Sequence, residues 1–236
     1  RMLINHVATL AEYLALLRDC ADELAALQAD LLIHVTRFFR DPAVFDALRT
    51  KVFPALLANR GSDQPLRVWV PGCATGEEVY SLAMALLDFL ADRPMAPQIK
   101  LFGTDISESA LERARAGRYG RGIESDVSAA RLQRYFVTCE GGYQVSAALR
   151  DLCMFARHDI TSDPPFSNVD LLSCRNVLIY LGSNLQRRVM PIFHFALTAN
   201  GFLLLGEAET PGLMQDLFEQ VDGRQKIYQR RPVPPR

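Results

Sequence analysis

Two short cassettes between Ser162 and Leu181 carry residue types suited to the floor of an active site. Asp163-Pro164-Pro165-Phe166 offers a carboxylate, two rigid backbone positions and an aromatic ring. Cys174-Arg175-Asn176, followed by Val177-Leu178-Ile179-Tyr180, offers a guanidinium, a carboxamide and a phenol. In doubly wound sheets the ligand binds outside the carboxyl ends of the strands, so a catalytic loop must follow a strand directly. The run "VDLLSC" reads as such a strand, and Arg175 and Asn176 come straight after it. "DPPF" instead precedes that strand. Its Asp163 is biased away from helix by Pro164, and it reads as an approach loop. Arg175 and Asn176 are therefore expected at the ligand edge, and "DPPF" is expected to stand outside the chemistry.

A second constellation is suited to hold a nucleotide-like ligand. "LRVWVPG" is a short apolar strand that runs into Gly72, and "PGCATGEE" leads from it into the helix "GEEVYSLAMALLDFL". Gly72 and Gly76 allow the backbone to pass close to a ligand. The next strand, "QIKLFGTDIS", ends in Asp105, placed where an acid accepts hydrogen bonds from ribose hydroxyls. A pyrophosphate cofactor such as NAD would sit on the helix N-terminus. Glu77-Glu78 opens that helix and would repel a pyrophosphate, whereas a cationic ligand is tolerated. Charge therefore favours S-adenosylmethionine, which carries a sulfonium and an amino group.

The elements that must position these groups are an alternation of strands and helices. Strand, helix, strand, helix implies a parallel sheet with right-handed crossovers. After Asp105 the run "SESALERARAG" reads as a helix capped by Ser107 and stopped by Gly117. Later strands are "LCMFARHD", "VDLLSCR", "GFLLLGE" and "QKIYQR", and the helix "SNLQRRVMPIFHFALTANG" is expected to end on Asn200-Gly201. Between them Tyr135–Cys139 and Tyr143–Ser146 flank Gly141-Gly142, a hairpin signal. Upstream, residues 5–39 read as helical. Asp41 and Pro42 read as N-cap and first position of a further helix. The expected organisation is α/β: a partial helical domain over 1–40, a connecting helix and linker over 41–65, and a Rossmann-like sheet domain over 66–236 with a small antiparallel β subdomain at about 134–147.

Composition narrows the partners. The chain has 236 residues, with 26 basic and 27 acidic side chains. It lacks the basic excess of duplex-binding proteins, so no nucleic-acid partner is expected. The densest basic run, Arg113, Arg115, Arg118 and Arg121, reads either as a solvated helix end or as a patch that meets an acidic partner. The five cysteines contain no CxxC pair, so free thiols and no metal site are expected. No apolar run reaches the roughly 18 residues of a membrane span. A cytoplasmic chain without membrane insertion is expected. The arginine at position 1 and the tail "RRPVPPR" read as the ends of a piece of a longer polypeptide.

"HVTRFFRDPAVF", "VWVPGCATGEEVYSLAM", "FGTDIS" and "CRNVLIYL" resemble, in that order, the CheR family of chemotaxis-receptor methyltransferases. The wording is most similar to versions fused to a CheB-type methylesterase. The resemblance implies transfer of a methyl group from S-adenosylmethionine to receptor glutamates, giving γ-methyl esters and S-adenosylhomocysteine. The implied partners are the cytoplasmic helical region of methyl-accepting receptors and a fused or cognate CheB-type methylesterase. It implies cofactor contacts for His34, Thr36, Arg40, Gly72, Glu78, Asp105, Arg175 and Asn176, and for Asp159 and Ile160 at the adenine. It also implies catalytic roles for Arg40, as a clamp on the acceptor carboxylate, and for Tyr180 near the methyl group. "DPPF", by contrast, resembles the loop of enzymes that methylate amines on nucleic-acid bases. In the family a longer, glycine-bearing hairpin loop accompanies docking of a receptor tail. The compact "TCEGGYQV" implies that no such tether is needed here.

Overall fold

The strand β1 (Leu66–Pro71) and the strand β7 (Val169–Cys174) are buried at nearly every position. A parallel strand covered on both faces has no polar face to show, which explains why only Arg67, Asp170 and Ser173 interrupt their apolar runs. They are neighbours at the centre of the structure, a computed structural model that describes residues 1–31, 36–58, 60, 64–91, 93 and 97–232. The chain forms two compact units, residues 1–35 and 36–236.

The first unit contains α1 (Leu10–Asp19) and α2 (Ala21–Leu31). Thr9 and Glu12 form a reciprocal capping box at the start of α1. The continuous helix expected from residue 5 onward is interrupted at Cys20, whose backbone is extended (φ −123°, ψ 98°). Tyr13 donates to Glu23 Oε1 at 2.7 Å, and Arg1 holds the Glu23 carboxyl well below the usual range, at about 2.

The second unit opens with a helical stretch made of α3 (Pro42–Ala47), a π-helical turn and α4 (Phe53–Leu57). The π turn stands just ahead of Pro54, which has no N–H to continue the regular ladder. Then come β1, α5 (Glu77–Leu90), β2 (Ile99–Asp105) and α6 (Glu108–Ala116). Ser107 caps α6 through Ala110 N, and Gly117 closes it at φ +59°. Next are β3 (Arg118–Gly120), α7 (Ala129–Tyr135), β4 (Phe136–Cys139), β5 (Gly142–Val145), α8 (Ala147–Arg150) and β6 (Cys153–Arg157). After β7 come α9 (Ser183–Ala196), β8 (Leu197–Leu205), β9 (Phe218–Asp222) and β10 (Ile227–Arg230).

Seven strands form one sheet in the order β6-β2-β1-β7-β8-β10-β9. The first five in that order are parallel to their neighbours, and β10 and β9 are antiparallel. A second sheet, β3-β5-β4, holds the expected hairpin and adds β3, which the sequence pattern did not reveal. One face of the large sheet, with Val68, Val70 and Leu171, packs on α5 and the helical stretch before β1. The other face, with Trp69, Phe102 and Leu172, packs on α9 through Val189, Met190 and Phe193. Helix α9 stops at Ala196, four residues before the expected Asn200, because Leu197 turns extended and pairs with Val169.

The connection from β6 to β7 contains no helix. "DPPF" lies in it, and Phe166 packs on Trp69, Phe102 and His158 with ring centroids 5.2–5.7 Å apart.

Candidate functional site

The order of strands reverses between β1 and β7, which puts a crevice at their carboxyl ends. Five loops meet along that edge. They follow β6, β2, β1, β7 and β8, and carry Asp159, Asp105, the glycine loop, Arg175-Asn176 and Glu209 in turn.

The glycine loop is held by its neighbours. Gly72 has φ +66°, Ala74 φ +46° and Gly76 φ +93°. A side chain at Gly72 would collide with Val177 of the loop after β7, and one at Gly76 would meet Ala114 Cβ at 2.9 Å. The space left by both glycines is thus filled by protein, and the loop backbone is what remains to face a ligand. Asp105 ties this loop to β2. Its Oδ2 accepts from Ala74 N and its Oδ1 from Ser107 N, both at 2.9 Å. Each carboxylate oxygen keeps a further lone pair for a hydroxyl.

The two acids at the start of α5 are both engaged. Thr75 donates to Glu77 at 2.7 and 2.9 Å, and burial pushes the Glu77 carboxyl up. Glu78 accepts from Ser173 Oγ at 2.9 Å and from Arg175 Nη1 at 3.0 and 3.2 Å. The Glu78 charge is thus balanced by the Arg175 guanidinium.

Arg175 joins three parts of the site. Besides Glu78 it donates through Nη2 to the Arg40 carbonyl at 3.0 Å and to Asp41 Oδ2 at 2.6 Å. Its side chain is 3% exposed. Asp41 sits at the N-cap of α3, as expected, but makes no capping bond; its carboxylate is drawn to Arg175 instead. A buried guanidinium needs anions around it, and that demand outweighs the cap.

Two atoms here lack partners. Arg175 Nε, a donor, and Asn176 Oδ1, an acceptor, are buried and unpaired. A free donor and a free acceptor on consecutive residues suit the carboxylate and ammonium of an amino-acid moiety. S-adenosylmethionine carries such a moiety, and Asp105 offers acceptors for its ribose, so the residues present fit that cofactor.

Asp159 follows β6, and His158 N donates to the Asp105 carbonyl at 3.0 Å, which brings the two acids to adjacent loops. Asp159 Oδ1 accepts from Thr161 N and Oγ1 at 2.8 and 2.7 Å. Burial raises this carboxyl, but the Thr161 bonds, with Ser162 and His158, outweigh it and leave it below its ordinary value. Ile160 is buried against the Trp69 cluster. Asp163 of "DPPF" accepts from Asp159 N at 2.8 Å, so the cassette supports this loop from outside. Thr36 and Arg40 are half-buried on the stretch leading into α3, and His34 lies outside the described residues. Tyr180 ends a 3-10 turn, Leu178–Tyr180, and is 60% exposed.

Sequence reasoning missed Glu209. It is 3% exposed and accepts backbone hydrogen bonds from Asn176, Val177, Leu178, Ile179 and Gly206. The only trace in the sequence is a glycine and an acid just beyond the strand "FLLL". Cys174 is fully buried, and burial with the nearby Glu209 charge pushes its thiol well up, so it provides no thiolate nucleophile. Among the described residues no three His, Cys, Asp or Glu side chains group as a metal site, and no helix is long and apolar enough to cross a membrane.

Residues 34–227 match the family model described as CheR methyltransferase, SAM binding domain. The chain is 41% identical over 229 residues to a 104.1 kDa protein in the hypE 3' region of Rhodobacter capsulatus; the match covers 97% of this chain and 24% of that protein. It is 34% identical to chemotaxis protein methyltransferase 1 of Pseudomonas aeruginosa, over 79% of this chain and 69% of the relative. To chemotaxis protein methyltransferase 1 of Vibrio cholerae it is 32% identical, over 84% of this chain and 72% of the relative. The chain thus spans about a quarter of the Rhodobacter protein and about seven-tenths of the two chemotaxis enzymes. A family match over most of the chain, on a sheet edge whose free groups fit the cofactor, makes this chain a member of the CheR methyltransferase family, carrying its S-adenosylmethionine-binding domain.

Proposed function

We propose that this chain methylates glutamate side chains in the helical cytoplasmic region of methyl-accepting chemotaxis-type receptors, giving γ-glutamyl methyl esters and S-adenosylhomocysteine. The observation that carries the reading is that Arg175 Nε and Asn176 Oδ1, on the loop directly after β7, are both buried without a partner. Arg175 and Asn176 would hold the amino-acid end of S-adenosylmethionine, Asp105 its ribose, and Asp159 with Ile160 its adenine. Thr36 and the Gly72 backbone would complete the enclosure, and Glu78 would keep Arg175 in place.

Bound S-adenosylmethionine supplies an electrophilic methyl group on a cationic sulfur. A glutamate side chain has an ordinary pKa of about 4.3, so at neutral pH it is already the nucleophile and needs no general base. Charge is lost as the two react, so tight stabilisation of the carboxylate would hinder the step. The protein's lever is in-line positioning, which supplies up to roughly 7–11 kcal/mol. Arg40 would hold the acceptor carboxylate in a fixed fork, and Tyr180 would orient it from the exposed rim.

A pocket of about 180 Å³ on the β8 side of Arg175 supports an anionic acceptor. Arg175, Arg224 and Lys226 line it against the two acids Asp41 and Glu207, and Asp41 is already paired with Arg175. Arg224 and Lys226 form no ion pair among the described residues, so their charge is available to an acidic receptor surface. The chain would work in the cytoplasm, and a CheB-type methylesterase, fused or cognate, would reverse its product.

The test is transfer of labelled methyl to receptor fragments, followed by mild alkali. Label released as methanol is expected. Alkali-stable label, or label on DNA or RNA, would overturn the reading.

A further inference from the structure

Asn176 Oδ1 and Arg175 Nε can meet a ligand only if the backbone after β7 holds one particular shape. Asn176 sits at φ +59°, and after Val177 the chain turns into the 3-10 helix Leu178–Tyr180. Four consecutive N–H groups, from Asn176 to Ile179, converge on one side of that turn. Glu209 fills the convergence. Its Oε2 accepts from Asn176 N at 2.9 Å, and its Oε1 from Val177 N at 2.8 Å, Leu178 N at 2.7 Å and Ile179 N at 3.4 Å. Gly206 N donates to Oε2 at 2.7 Å, which closes the loop after β8 around the same carboxylate. A side chain at residue 206 would stand 2.7 Å from Oε2 and 2.9 Å from Asn176 N, so the approach requires glycine there. Successive backbone donors of this kind form a nest for an anion, and here the anion belongs to the protein.

We infer that Glu209 is a positioning residue for methyl transfer: its buried carboxylate sets the backbone of residues 176–179, and through it the aim of Arg175 and Asn176. Glu209 is 3% exposed and its carboxylate is taken up by backbone donors, so its effect passes through that turn. The inference rests on the reading that Arg175 and Asn176 hold S-adenosylmethionine. Gln186 Nε2 holds the far end of the turn by donating to the Leu178 and Leu181 carbonyls at 2.8 and 3.0 Å, but the N–H groups of Asn176, Val177 and Leu178 have Glu209 as their partner, and among the described residues no backbone carbonyl takes its place.

The experiment measures S-adenosylhomocysteine binding by calorimetry for the whole chain, Glu209→Gln and Glu209→Ala, with circular dichroism as the check on folding. Glu209→Gln keeps the size but turns an amide NH2 toward backbone donors, so affinity is expected to fall by roughly tenfold or more. Glu209→Ala is expected to fall further. Acetate, the group removed, should enter the vacated nest and restore most of that loss, while chloride at equal ionic strength should not. A purely steric role for Glu209 would leave the Ala variant insensitive to acetate. If Glu209→Ala does not fold, the Gln variant alone decides. A folded Gln variant that binds within twofold of the unaltered chain overturns the inference and leaves the cofactor reading standing, as does a folded, weakened Ala variant that ignores acetate. Failure of the unaltered chain to bind would overturn the cofactor reading itself, and the inference with it.

Discussion

Glu78 and Arg175, 97 positions apart in the chain, face each other across the crevice with Nη1 3.0 and 3.2 Å from the two carboxylate oxygens. The pair joins the first turn of α5 to the end of β7 and is 12% and 3% exposed. Removing one member leaves the other charge buried without its partner. Arg175→Ala is expected to cost about 3–5 kcal/mol of folding free energy and to abolish S-adenosylhomocysteine binding. Urea denaturation checks the first part and calorimetry the second. A loss below about 1 kcal/mol would show that the pair behaves like an exposed one.

Gly72→Ala tests the contact between the two ligand-facing loops. The residue has φ +66°, and the new methyl group would strike Val177. Strain and overpacking together are expected to destabilise by about 2–4 kcal/mol. The second change Val177→Ala should recover part of this, because the two effects share one space. Strict additivity in a double-mutant cycle would rule the contact out as the cause.

Asp105→Ala is expected to weaken S-adenosylmethionine and S-adenosylhomocysteine by about 1.5–3 kcal/mol, the value of hydrogen bonds to a charged acceptor. Asp163→Ala should behave differently. It frees Asp159 N, so it is expected to raise KM for S-adenosylmethionine several-fold while kcat at saturation stays near the unaltered value. Loss of kcat with KM unchanged would bring "DPPF" back into the chemistry.

Glu77 sets a pH signature. Burial raises its carboxyl above the ordinary 4.5. The charged form is therefore disfavoured in the folded state, and this penalty appears as pH rises through the raised value. Glu77→Gln is expected to match the unaltered chain at pH 4 to 5 and to be more stable at pH 8. Melting curves across that range check it, and a gain confined to low pH would reverse the sign.

Receptor recognition can be tested from both sides. Arg224→Glu together with Lys226→Glu should raise the acceptor KM about tenfold or more and steepen with falling salt, with cofactor affinity unchanged. Cutting the last few residues of the receptor should leave the rate intact, because the β4–β5 turn is only Glu140-Gly141. A large loss on truncation would show that a tail tether operates, since tethering raises effective concentration toward millimolar.

The sequence made the parallel core readable because its period and punctuation agree. β1, α5, β2 and α6 carry apolar runs bounded by Gly72, Asp105, Ser107 and Gly117, and the structure uses each boundary. The edge strand β9, "FEQVD", was not readable: it is half polar and pairs on one side only. Asp41 was legible as a helix start, but nothing local revealed that Arg175, far along the chain, would take its carboxylate. Glu209 was hidden for another reason. Its partners are backbone N–H groups, which every sequence possesses and none spells out.

The pairing of β1 with β7 joins Val68 to Leu171 and Trp69 to Leu172. These strands lie about a hundred residues apart, and closing so long a span is slow compared with local structure formation. The crevice comes into being only at that step, since each strand supplies one wall of it. A chain emerging from the ribosome would have completed the glycine loop and Asp105 long before it owned Arg175 and Glu209. The ligand therefore cannot guide early folding; it can only retain a sheet whose central seam has already closed.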